Sequence, residues 1–183
     1  MDREEVMASI EANVDNRNLI KHMLATEAVM RALAARLGED EEKWAFTGLL
    51  HDIDVELTEG DMSVHGKLGA DLAAELGASD DMTMAIMAHN EKLGFPRNSR
   101  IEKALYCADP VTGLITATAL VRPEKKLANV EAKSVRKRFK EKAFAAGASR
   151  EQMASCSELG LELDDFLALS LDAMKSVAGD LGL

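Results

Sequence analysis

Four histidines occur in the 183 residues, His22, His51, His65 and His89, and all fall in the first half of the chain. Each sits on or beside an apolar segment with helical spacing rather than in a polar tail. His51 is followed directly by Asp52, at the end of the apolar stretch EEKWAFTGLLH. Another aspartate, Asp109, interrupts the run ALYCADPVTGLI just before Pro110. Taken singly, a histidine on an apolar face reads as a hydrogen-bonded core residue, and an aspartate before proline as a turn or cap. Taken together, that reading weakens. An ionised carboxylate in an apolar helix is costly unless it is paired or bound to a metal. A bound metal ion gives one cause for all of these placements. Neutral imidazole and carboxylate oxygen together suit Fe, Mn, Co, Ni or Zn.

The elements that must position these groups are helical. Val6, Ile10 and Val14 mark an amphipathic helix over 3–14, and 19–37 reads as a long helix with Gly38 as its C-cap. Asp40 is a fitting N-cap for a helix over 41–51, apolar around much of its surface and therefore central. Thr58 and Asp61 form a start signal for a helix over 61–76, and Ser79-Asp80-Asp81 caps one ending near 89. Residues 99–121 make a long apolar helix in which Pro110 removes a backbone bond and predicts a kink. A basic helix over 131–145, a capping box Ser149-x-x-Gln152 opening a helix to 159, and an amphipathic helix over 162–180 complete eight or nine helices. No segment reads as a strand. The fold class is all-α, and the composition shifts from Pro123, which divides a first part over 1–122, expected to bind the metal, from a C-terminal helical extension over 123–183 expected to pack on it.

Composition agrees and excludes some functions. Ala, Leu and Met fill the apolar positions, aromatics are 4% of residues, and β-branched runs are almost absent. The net charge of −10 argues against general nucleic-acid binding, because a phosphate backbone would be repelled. Cys107 and Cys156 form no CxxC pair and read as reduced thiols. The acidic N-terminus lacks a secretory signal and no apolar run approaches a membrane span, so a cytoplasmic protein with no membrane partner is expected.

The series His22, His51-Asp52, Asp109 resembles the H…HD…D signature of HD-domain metal-dependent phosphohydrolases, of the HDIG-like kind. KHMLATEAVMRALA is similar to the family's first ligand helix, GLLHDID to its HD turn, and IEKALYCADPVTGLI to the helix carrying the last aspartate. His65 in VHGKLGADLAAEL and His89 in AIMAHNE match the extra histidines of two-metal members. An HD dipeptide alone would carry nothing; the likeness covers residues 18–122 in four segments in order.

The resemblance implies an HD-domain helical bundle. It implies that His22, His51, Asp52 and Asp109 hold a first divalent ion, and that Asp52 bridges to a second held by His65 and His89. His51 and Asp52 then form the catalytic pair. It further implies a phosphohydrolase in which a divalent ion acidifies water and polarises the phosphoryl group, with no Ser or Cys nucleophile. Asn90 departs from the pattern, because two-metal members often carry a His or Asp there, so one or two ions are expected. LGFPRNS stands where cyclic-di-GMP phosphodiesterases carry GYP, so that substrate is not assigned. AIMAHNEKLG and LYCAD bear some likeness to the dinucleoside-polyphosphate branch. Asp54, Glu56 and Glu27 are candidates to orient ligands or accept protons; such carboxylates are more often caps or surface charges.

The expected partner is a small phosphorylated substrate, a nucleotide or related phosphoester, with a homodimer left open. Between Arg122 and Lys142 nine basic residues face three acidic ones, a local charge of +6 against −16 for the rest. Such a run is usually a solvated helix face. The functional alternative gives Lys126, Lys133 and Lys137, with Asn90, to substrate binding. Two other classes compete with an enzyme. One is a metal-containing ligand-binding or signalling module with little turnover. The other is a structural helical protein that binds no metal.

Overall fold

N-cap side chains open five of the ten helices among the described residues. The Asp2 carboxylate accepts from the N–H groups of Glu4 and Glu5 and opens α1 (Arg3–Asn13). Asn16 does the same for α2 (Arg17–Leu37), which Gly38 ends at φ 73°. Asp40 accepts from Lys43 N–H at 3.0 Å and opens α3 (Glu41–Leu50). The computed structural model describes residues 2–183. It continues through α4 (Lys67–Glu75), α5 (Asp80–His89), α6 (Arg100–Leu120), α7 (Ala132–Lys140), α8 (Arg150–Ala154), α9 (Leu163–Ser176) and α10 (Ala178–Leu181). Three short 3-10 turns join them, and no strand occurs among the described residues. The all-α expectation is borne out.

One apolar core runs through the molecule. Met23, Met30 and Leu33 of α2 pack with Leu49 and Leu50 of α3, Ile86 of α5, Leu105 and Leu114 of α6, and Phe166 and Met174 of α9. The tightest crossing is α2 on α3. A Cβ at Gly48 would come within 2.8 Å of the Thr26 carbonyl oxygen, so only glycine lets the two backbones approach this closely. Helix α6 runs unbroken through Pro110, opened by a complete capping box between Ser99 and Glu102. Among the described residues no helix is long and apolar enough to cross a membrane.

Several boundaries differ from expectation; the helix expected to 159, for instance, is α-helical only to Ala154 and runs on as a 3-10 turn. The helix expected from 61 starts at Lys67, and residues 51–65 form successive turns. Thr58 donates its hydroxyl to the Val55 carbonyl instead of capping, and Asp61 accepts from Ser63 N–H. The cap of α4 comes from outside the segment: Asp54 accepts from the N–H groups of Gly66 and Gly69 at 2.7 and 2.8 Å. The basic helix ends at Lys140, and the chain from 141 to 148 makes turns. The last helix breaks at Val177 into α9 and α10.

Candidate metal centre

The six residues expected to hold metal come from five places and meet. His22 lies on α2, His51 caps the end of α3, and Asp52 follows it. His65 lies on the turn before α4, His89 ends α5, and Asp109 sits midway along α6. His22 Nε2 is 3.1 Å from His51 Nε2, and His65 Nε2 is 3.1 Å from His89 Nε2. Asp52 lies between the pairs. Its Oδ2 is 3.4 Å from His22 Nε2, and its Oδ1 is 3.4, 3.4 and 3.5 Å from the Nε2 atoms of His51, His65 and His89. Asp109 Oδ1 is 3.2 Å from His22 Nε2 and 3.9 Å from His51 Nε2.

The far side of each ring decides what these nitrogens can do. His51 Nδ1 meets the Gly48 carbonyl at 2.8 Å and His89 Nδ1 the Ile86 carbonyl at 2.5 Å. His65 Nδ1 meets Asp54 Oδ1 at 2.8 Å. These oxygens only accept, so each Nδ1 carries the hydrogen and donates it. His22 Nδ1 meets Thr112 Oγ1 at 2.9 Å, and that hydroxyl gives its own hydrogen to the Asp109 carbonyl, so it too accepts. In their neutral forms all four rings therefore present a bare Nε2 lone pair to the others and to two carboxylates. Such a set repels itself unless positive charge lies among them.

The donor set fits a divalent ion. Ligand atoms bound at about 2.0–2.2 Å around one ion stand roughly 3.0–3.5 Å apart. The separations given above, all but one between 3.1 and 3.5 Å, match that spacing. Two triads, His22–His51–Asp109 and His51–Asp52–His89, each bring their ligand atoms within 4.8 Å of one another. Each imidazole also has a partner on its second nitrogen, the arrangement that fixes tautomer and ring plane in metal sites.

Charge in the metal-free cluster is held by protons. Burial works against a charged His22, but the Asp109 and Asp52 carboxylates outweigh it and raise its pKa to about 10. Burial dominates at His51, which falls to about 4. His89 is raised, burial being outweighed by Asp52. Both Asp52 and Asp109 are lowered: burial opposes their charge, and the histidines overcome it.

A cavity of about 390 Å³ opens on Asp52, His65, His89 and Asp109, and its outer wall includes Glu91, Lys92 and Gln152. A second, of about 460 Å³, opens on His22 and Thr112 and is walled by Lys21, Leu120 and Leu183. Asn90 borders the first cavity, but its amide is engaged elsewhere. It donates to the Met62 and His65 carbonyls at 2.8 and 2.9 Å and accepts from Lys92 N–H at 3.0 Å. Lys126, Lys133 and Lys137 line neither cavity. All three are exposed, and Lys133 pairs with Glu131 at 2.6 Å.

Of the three candidate orienting carboxylates, only Asp54 touches a cluster ring. Glu56 accepts from the N–H groups of Asp15 and Asn16, and Glu27 pairs with Arg3. Cys107 is fully buried, and its thiol donates to the Ala104 carbonyl. The sequence reading did not single out Thr112, Lys92 or Gln152 for the site. Thr112 has a readable signal, three residues after Asp109 and so on the same helix face.

The fold and the histidine–aspartate cluster match one family. A model described as HD domain matches residues 19–118, and the chain belongs to the HD-domain family of metal-dependent phosphohydrolases. Ribonuclease Y of Oleidesulfovibrio alaskensis is 34% identical over 98 residues, covering 54% of this chain and 18% of that protein. Ribonuclease Y of a Sulfurovum species is 28% identical over 167 residues, 88% of this chain and 32% of that protein. The chain thus spans between about a fifth and a third of the length of these relatives.

Proposed function

We propose that this chain is a metal-dependent phosphohydrolase acting on a small nucleotide or related phosphoester. The observation that carries the reading is the convergence of four Nε2 atoms on the Asp52 carboxylate, each with its Nδ1 satisfied. His22, His51, Asp52 and Asp109 would hold one ion, and Asp52, His65 and His89 a second. A bound divalent ion supplies Lewis acidity towards phosphoryl oxygen and acidifies water near neutral pH.

The chain's own residues do the rest. Thr112, Gly48, Asp54 and Ile86 hold the rings in place, so no ring must reorganise on binding. Lys92 lines the cavity, makes no ion pair among the described residues, and gives its backbone N–H to the Asn90 side chain. It is the cation suited to a substrate phosphate, the role that the alternative reading of the basic segment offered to Lys126, Lys133 and Lys137.

The ribonuclease name of the relatives favours a second reading, RNA cleavage. Against it stand the net charge of −10 and the small share of those proteins that this chain matches. The two readings separate in one assay. Mn²⁺-loaded chain is given a panel of mononucleotides, dinucleoside polyphosphates and a short RNA, with His51→Ala/Asp52→Ala as control. Turnover of nucleotides, lost in the control, supports the first reading; cleavage of RNA alone supports the second. Tight nucleotide binding with no turnover would move the chain to the binding-module class.

A further inference from the structure

The Ser149-x-x-Gln152 capping box forms only in half. Ser149 Oγ accepts from Gln152 N–H at 3.2 Å, but the Gln152 side chain does not return to the Ser149 amide. It lines the cavity that holds Asp52, His65, His89 and Asp109. There it neighbours the hydroxyl of Tyr106, which itself donates to Glu91. Gln152 belongs to the C-terminal extension, yet it faces the metal ligands of the first domain.

A second observation concerns how it is held. The Arg150 guanidinium donates to six backbone carbonyls, those of Arg138, Phe139, Glu141, Phe144, Ala145 and Ala148, at 2.5–3.2 Å. All five of its N–H groups are engaged in closing the turns that follow α7. The closed loop sets Ala148 against Gly113, one residue past Thr112 on α6. Arg150 thereby anchors the start of α8, and with it Gln152, over the helix that carries Asp109.

We infer that Gln152 is a recognition residue for the organic part of a nucleoside phosphate, and that Arg150 is the positioning residue that holds it at the metal cavity. This rests on the phosphohydrolase reading for where the phosphate sits. The wall offers a carboxamide that donates and accepts, the Glu91 carboxylate that accepts, and the Lys92 ammonium. A nucleoside monophosphate carries the matching groups: a heterocyclic edge, hydroxyls and a phosphate. The volume of about 390 Å³ lies in the small-ligand range.

The test compares kcat/KM for 5′-ribonucleotides with that for p-nitrophenyl phosphate, which lacks base and ribose, on Mn²⁺-loaded protein. In Gln152→Ala the nucleotide-to-nitrophenyl ratio should fall about tenfold, the loss of one hydrogen bond. Arg150→Lys should lower the ratio in the same direction, with KM for nucleotide rising more than kcat falls. An unchanged ratio in Gln152→Ala overturns the inference. Should wild-type chain bind metal and hydrolyse neither substrate, the phosphohydrolase reading fails, and recognition is read from AMP binding by calorimetry. About tenfold weaker binding by Gln152→Ala then sustains it; equal binding, or no AMP binding by wild type, overturns it. Cleavage of RNA with no nucleotide turnover or binding overturns it while leaving the hydrolase reading intact.

Discussion

His65 Nδ1 lies 2.8 Å from Asp54 Oδ1, and the other oxygen of that carboxylate accepts the N–H groups of Gly66 and Gly69. One buried carboxylate therefore starts α4 and fixes a ring whose free nitrogen faces the histidine–aspartate cluster. Burial opposes its charge, but His65 and the two amides overcome this and lower its pKa. With the folded pKa depressed, its stabilisation is present above the ordinary carboxylate range and is lost as pH falls through the folded value. Asp54→Asn should lower Tm and weaken Mn²⁺ binding by about 10–100-fold. Calorimetric titration checks this, and an unchanged Kd would contradict the role of Asp54 in holding His65.

Thr112 plays the matching part for His22, accepting from Nδ1 while donating to the Asp109 carbonyl. Thr112→Val keeps the shape and removes the acceptor. Metal affinity should drop by about 10–100-fold with little change in helicity. Circular dichroism and metal titration on one sample separate the two effects.

Metal binding must displace the proton on His22. Because the neighbouring carboxylates outweigh burial and hold its pKa at about 10, the metal-free chain carries that proton at neutral pH. Loading one ion at pH 7.5 should release about one proton, and affinity should rise close to tenfold per pH unit up to about pH 9. Titrations in buffers of different ionisation enthalpy give the proton count directly. A count of zero would mean that the ion binds elsewhere.

His22 and His51 together shape the stability of the metal-free chain. His22 is raised from 6.5 to about 10, so its contribution is complete below pH 6.5 and fades as pH climbs towards 10. His51 is lowered from 6.5 to about 4, so its neutral form favours folding above pH 6.5 and stability is lost as pH falls towards 4. Thermal melts of chelator-treated protein should therefore peak near pH 6.5. A flat profile from pH 5 to 9 would contradict the linkage.

Gly48 joins fold to site. A Cβ there would meet the Thr26 carbonyl at 2.8 Å and Met30 Cγ at 2.9 Å, and the Gly48 carbonyl is the acceptor that fixes His51. Gly48→Ala should cost about 1–3 kcal/mol, measured by denaturant unfolding. It should also weaken metal binding, because α3 must move away from α2 and take His51 with it.

Much of this was legible in the sequence because its signals are local. Gly38 and Asp40 cap helices within a few residues of themselves, and His22, His51 and His89 stand on or at the end of apolar helical periods. What the sequence hid is non-local. Asp54 caps α4 from twelve residues away, displacing the helix start from 61 to Lys67. Helical spacing says that Lys133 and Lys137 share a face, but not that this face turns away from the cavity while Lys92 and Gln152 border it. Arg150 reads as one more surface cation, and its six carbonyls become neighbours only once the loop after α7 has closed.

Elemental analysis of the purified chain, beside His51→Ala/Asp52→Ala, tests the metal centre most directly. Wild-type protein should carry, or take up from Mn²⁺ or Fe²⁺, one to two equivalents of a divalent transition metal per chain, and the double variant should carry almost none while remaining helical. A folded wild-type chain that neither contains nor takes up stoichiometric metal would contradict the assignment and leave the four histidines as ordinary core residues.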